Sequence, residues 1–193
     1  MVIKYKSFIL IMFASILVQG CVAWNLGKVG YLEPGVDTVK NESNFIIGEK
    51  CMTIMGKPFI EEAIQNSNLK IIKNATIRIE NNGFGACYRI YPNNNSKSES
   101  FTSINLGNFK TISINPPETN NFMKKDFVKG EDCRYISLIN LFSRPSLERA
   151  VYDSLRNVDG AIGLENATIY NYRNVAFLLV IKYCYLVEGV AVK

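Results

Sequence analysis

The sequence predicts an α+β fold: duplicated β-α-β-β units whose mostly antiparallel sheet carries helices on one face. Three observations predict it. The same features occur twice in the same order. Each copy carries an apolar stripe at helical spacing, Ile60, Ala63 and Ile64 in the first and Leu147, Ala150, Val151 and Leu155 in the second. Each copy then closes in runs rich in Ile, Thr and Tyr, the residues of half-buried strands.

The duplication rests on four anchor points. Cys51 answers to Cys133, 82 residues on; Ala63 to Ala150, 87 on; Asn74-Ala75-Thr76-Ile77 to Asn166-Ala167-Thr168-Ile169, 92 on; and Cys87-Tyr88 to Cys184-Tyr185, 97 on. The offset grows in even steps between the anchors, as loop insertions between matching elements would make it grow.

Residues 1–20 read as a secretory signal peptide. Lys4 and Lys6 are its basic start, and residues 8–18 form an apolar run too short to span a bilayer. Leu17-Val18-Gln19-Gly20-Cys21 resembles a bacterial lipobox, which makes Cys21 the lipidated first residue of the mature chain. The alternative is an ordinary signal peptide cut after Ala23, with Cys21 discarded. Residues 21–43, with Gly27, Gly30, Pro34 and Gly35, read as a lipidated N-terminus and tether. Residues 44–193 then form a single α+β domain of two repeats, 44–91 and 133–193, joined by a linker over 92–132. One unit alone is too small for a sturdy core.

Within the repeats, Ser143 and Ser146 offer N-caps around Pro145, and Glu148 suits the positive start of the second helix. Gly160 ends that segment. Asn81-Asn82-Gly83 signals a hairpin, and Arg173-Asn174 stands at the matching place in the second unit. Residues 84–91 and 175–187 are the returning strands. In the linker, residues 93–100 are polar, Pro116-Pro117 marks a break, and residues 109–114 suggest a short strand.

The run Ile47-Gly48-Glu49-Lys50-Cys51, with Ile60 and Ala63, then Leu69-Lys70-Ile71-Ile72 and the Asn-rich hairpin, resembles the TRL-like family of small bacterial lipoproteins. The resemblance covers residues 44–91 best. Lys57-Pro58-Phe59 stands where that family usually has Gly-Asp. The resemblance implies a small exported lipoprotein and no particular reaction.

Five cysteines are present. Lipidation of Cys21 leaves Cys51, Cys87, Cys133 and Cys184 as disulfide candidates, for which three pairings exist. Homology of the units favours bridges within each unit, Cys51 with Cys87 and Cys133 with Cys184. Four packed thiols are the alternative. With no histidine and no Cys-x-x-Cys, structural zinc of the usual kind and a serine triad are both excluded. Glu61-Glu62 and Glu131-Asp132 are adjacent carboxylates, and neighbours on a helix do not face one another. Gly83-Phe84-Gly85 lacks the Lys-Ser/Thr of a phosphate loop. No catalytic, cofactor-binding or metal residue is assigned. Tyr88, Tyr91, Tyr170, Tyr172, Tyr183 and Tyr185 furnish either sheet packing or a recognition surface. The Asn41, Asn74, Asn94 and Asn166 sequons reflect an Asn-rich composition in a bacterial chain.

The formal charge is +5. Loss of Lys4 and Lys6 lowers it to about +3, too little to argue for nucleic acid. The functional expectation is a non-catalytic, membrane-anchored envelope lipoprotein with a structural or binding role. Its partners are the membrane, through acyl chains on Cys21, and an envelope or host-surface protein. The alternative is a secreted, disulfide-stabilised factor that binds a host or neighbouring-cell ligand.

Overall fold

A computed structural model describes residues 21–35, 45–51, 59–81, 85–92, 103–116, 126–137, 144–177 and 180–193. The signal peptide expected over 1–20 lies outside them. Among the described residues, eight strands and two helices occur in the order β1 (Cys21–Pro34), β2 (Gly48–Cys51), α1 (Ile60–Gln65), β3 (Ile71–Asn81), β4 (Ala86–Pro92), β5 (Ser103–Ser113), β6 (Asp126–Ser137), α2 (Leu147–Leu155), β7 (Gly163–Phe177) and β8 (Val180–Val192). All eight strands join one sheet, in the order β2-β4-β3-β5-β1-β7-β8-β6, and every neighbouring pair is antiparallel.

The α+β expectation is therefore corrected. The fold is predominantly antiparallel sheet, and the helices span only 6 and 9 residues. They do not form a layer that balances the sheet. The reason lies in two segments read as tether and linker. Residues 21–34 form a full strand between β5 and β7, and residues 103–113 form another between β3 and β1. Each repeat is thus β-β-α-β-β. The first strand of each pairs with the third strand of the repeat's other copy: β1 with β7, and β5 with β3.

β1 and β5 share the same local geometry. Asn25-Leu26-Gly27 and Asn105-Leu106-Gly107 each place an extra, buried leucine in the strand as a β-bulge. In each, the asparagine Oδ1 accepts the glycine N–H, at 2.8 Å and 2.9 Å. Gly27 and Gly107 have φ of 118° and 147°, a region that side chains rarely adopt. A Cβ there would also strike Glu61 and Glu148 on the helices. The recurring Asn-Ala-Thr-Ile has a similar cause: Asn74 (φ 49°) and Asn166 (φ 52°) hold left-handed backbone, which asparagine tolerates best among residues with a side chain.

The strand groups β2-β4-β3-β5 and β1-β7-β8-β6 form the two halves of the sheet, and they meet along a short pairing of β5 with β1 in which Leu32 opposes Ile112. The sheet is strongly curled. Tyr88 on β4 and Tyr185 on β8 are five steps apart in the strand order, about 24 Å in a flat sheet. Yet both belong to one hydrophobic core. Ile60, Ala63 and Ile64 of α1 and Leu147, Ala150, Val151 and Leu155 of α2 enter that same core, as their spacing predicts. Ser146 is the N-cap of α2 and accepts the Arg149 N–H, while the other expected cap, Ser143, lies outside the described residues.

Arg173-Asn174 does not turn. Both residues lie inside β7, which runs on to Phe177 because β1 supplies a partner as far as Asn174.

Candidate functional site

Cys51 opposes Cys87 in the β2–β4 register, and Cys133 opposes Cys184 in the β6–β8 register. Both pairs are disulfides. β2 and β6 are the two outermost strands, so each bridge fastens an edge strand to its neighbour. The Glu49 carboxylate lies beside Cys51 and Cys87, but both sulfurs are spent in the disulfide and offer no thiolate to a metal.

The adjacent carboxylates are engaged in holding the fold. Glu61 accepts the Lys28 N–H at 3.0 Å, and Glu62 pairs with Lys50. Asp132 accepts the Ser146 N–H at 2.6 Å and pairs with Arg149 at 2.8 Å, while Glu131 accepts the Tyr172 hydroxyl at 2.9 Å. Neither pair is poised as an acid–base couple. A recess near α2 is lined by Glu131, Asp132, Arg149, Asp153 and Arg156, so its charges of opposite sign offset one another.

A different recess, of about 270 Å³, opens between the two halves of the curled sheet. Arg144 and Pro145 come from the lead-in to α2, Arg173 from β7, and Tyr183 and Tyr185 from β8, with Ile104 and Ile181 adding apolar wall. The Arg173 guanidinium stands between two rings, its Cζ 4.9 Å from the Trp24 centroid and 5.0 Å from that of Tyr183. Stacking of this kind fixes the plane of the guanidinium and leaves its N–H edge free to bind. The Tyr183 and Tyr185 rings meet edge to face at 5.7 Å, and their hydroxyls lie 3.3 Å apart. Burial, then Tyr183 and Tyr88, pushes the Tyr185 hydroxyl well above its ordinary pKa; burial and Tyr183 do the same to Tyr88. Both hydroxyls therefore stay protonated at neutral pH and can donate.

The lining contains two guanidiniums and no carboxylate. Neither Arg144 nor Arg173 has a carboxylate partner among the described residues. Two buried polar side-chain atoms lack any hydrogen-bond partner among those residues, Asn171 Oδ1 and Arg134 Nε. Asn171 is in register with Tyr185, and Arg134 with Tyr183. Unspent polarity therefore concentrates on this one face.

Of the six tyrosines expected to pack or to recognise, Tyr183 and Tyr185 line the recess. Tyr91 and Tyr172 instead donate to Glu80 and Glu131. The sequence reading missed Arg144, Arg173 and Trp24. Trp24 and Arg173 meet only because β1 pairs with β7, and no local pattern announces that. Cys21, the expected lipidation site, is the first residue of β1 and is in register with Asn174, one residue from Arg173.

No protein-family model, curated protein or solved structure matches this chain. Among the described residues, no helix is long and apolar enough to cross a membrane.

Proposed function

We propose that this chain is a bacterial envelope lipoprotein, anchored through acyl chains on Cys21, that acts without catalysis by binding a small anionic ligand in the Arg144–Arg173 recess. The observation that carries the binding role is the convergence of two guanidiniums, without carboxylate partners among the described residues, on a wall of tyrosine hydroxyls. Guanidinium groups so placed favour a planar or tetrahedral oxyanion. The anchoring role is supported by the lipobox-like Leu17-Val18-Gln19-Gly20-Cys21 and by the likeness to TRL-like lipoproteins. The two disulfides agree with life in an oxidising compartment.

Intact mass of the chain recovered from cells tests the anchoring. Acyl mass on an N-terminal Cys21, abolished by Cys21→Ser, is the expected result. A free N-terminus at Trp24 would overturn it and leave the second reading, a secreted factor, which the two disulfides also favour. Titration with small carboxylates and phosphates tests the recess. Saturable binding that Arg173→Gln weakens by about tenfold is expected, because a charge-assisted pair is lost.

A further inference from the structure

We infer that the anion taken by the recess is the phosphate of a membrane phospholipid headgroup, which makes the recess a second, non-covalent point of attachment beside the acyl chain. The inference rests on the anchored reading above and follows from where the recess lies.

Cys21 is not separated from the fold by a tether. It is already a sheet residue, in register with Asn174, and Val22 is in register with Arg173. Neighbouring strands lie about 4.8 Å apart, so an acyl group on Cys21 would bring the Arg173 end of the sheet down to the bilayer surface. The row that begins with Cys21 continues through Asn174 and Lys182 to Tyr135. Tyr135 is 58% exposed and Ile181, next to Lys182, is 40% exposed. Lys182 and Tyr135 stand on the sheet face opposite the recess, and Ile181 stands on the recess side, so basic, aromatic and aliphatic side chains gather at this one end of the sheet, the composition of an edge that rests on lipid headgroups.

Size narrows the occupant. The volume of about 270 Å³ admits a glycerophosphate headgroup and has no room for the acyl tails, which would stay in the bilayer. Phosphate oxygens suit Arg144 and Arg173, and the glycerol suits the tyrosine hydroxyls. A free phosphate would satisfy the same guanidiniums, and the experiment separates the two.

The test is native mass spectrometry of the full chain, extracted from the envelope in mild detergent and supplied with phosphatidylglycerol. One phosphatidylglycerol per chain is expected. Arg144→Gln and Arg173→Gln should each lower occupancy by about tenfold, while Lys70→Gln, an exposed charge outside the recess, should not. Inorganic phosphate at equal concentration should leave the lipid in place. A narrow, low charge-state distribution in the same spectra shows that each variant is folded. Equal occupancy in the arginine variants, or displacement by inorganic phosphate, would overturn the headgroup site. The same spectra report the state of Cys21. An acylated chain that binds no phosphatidylglycerol sinks this inference and leaves the anchor standing; bound phosphatidylglycerol on an unacylated chain supports the headgroup site and sinks the anchor.

Discussion

Glu61 on α1 and Glu148 on α2 occupy one position twice: each carboxylate accepts the backbone N–H that follows a bulge glycine, from Lys28 at 3.0 Å and from Asn108 at 2.9 Å. The bulge frees that N–H from the ladder, and the first turn of the helix supplies the acceptor. The glycine lets the helix come close enough to do so. A Cβ on Gly27 would lie 2.7 Å from Glu61 Cβ, and one on Gly107 would lie 2.4 Å from Glu148 Cβ. Both positions also hold backbone that alanine rarely adopts. Gly27→Ala and Gly107→Ala should each destabilise the oxidised protein by about 1–3 kcal/mol from backbone strain, with the clash in addition. Urea denaturation reads the loss, and an unchanged midpoint in either variant would contradict the shared role.

The two carboxylates differ in one respect that sets a pH dependence. Burial raises the Glu148 pKa above the ordinary glutamate value, partly offset by the Asn108 N–H and by Arg149. A raised native pKa means the folded chain holds the proton where the unfolded chain has released it. The contribution of Glu148 to stability is therefore full below about pH 4.3, the unfolded value, and is lost as pH rises through the native pKa. Glu148→Gln keeps a carbonyl oxygen for Asn108 and removes the buried charge. Its denaturation midpoint, relative to the parent, should rise between pH 4 and pH 7. A constant difference across that range would mean that the carboxylate is not held up by burial.

The parts legible in the sequence were those with local signals. Ile60-Ala63-Ile64 and Leu147-Ala150-Val151 announced helices through spacing alone, and the repeat favoured the within-unit pairing of the four cysteines that the bridges follow. The failures came from reading glycines as signs of flexibility. Gly27 sits in a central strand, and its partner motif lay 80 residues away, from Asn25-Leu26-Gly27 to Asn105-Leu106-Gly107. That fifth match would have extended the repeat by a strand and turned the expected α+β layering into a sheet of eight strands. The recess was beyond any such reading. Trp24, Ile104, Arg144, Arg173 and Tyr183 gather through the curl of the sheet and the exchange of first strands, which depend on the whole topology.

Removal of the disulfides should separate the two edge strands. The bridges close spans of 36 and 51 residues, and loop entropy grows so slowly with length that each should contribute a similar 2–4 kcal/mol or so. Local consequences differ. β2 is only 4 residues long, whereas β6 pairs with β8 in continuous register from Asp126 to Ser137. Without Cys51–Cys87, β2 should fray. Without Cys133–Cys184, β6 should keep its ladder. Hydrogen exchange of Cys51→Ser/Cys87→Ser and Cys133→Ser/Cys184→Ser variants reads this directly. Equal protection of β2 and β6 in their respective variants would show that strand length does not govern the edges.

The pseudo-symmetry also makes a prediction about charge. Lys50, just before Cys51, pairs with Glu62, just before Ala63. Asp132, just before Cys133, pairs with Arg149, just before Ala150, at 2.8 Å. The same two positions thus carry an ion pair of opposite polarity in the two repeats. If backbone position and not residue identity makes the contact, the first repeat should accept the polarity of the second. Glu62→Arg alone places like charges together. Side chains here are more than one third exposed, so solvent screening limits the cost to about 0.5–1 kcal/mol. Lys50→Asp added to Glu62→Arg should recover most of it, and a double-mutant cycle measures the coupling. A double variant no more stable than Glu62→Arg would mean that the second repeat's pair depends on the extra N–H that Ser146 donates to Asp132, a contact with the N-cap that would then be the true anchor of the Asp132 carboxylate.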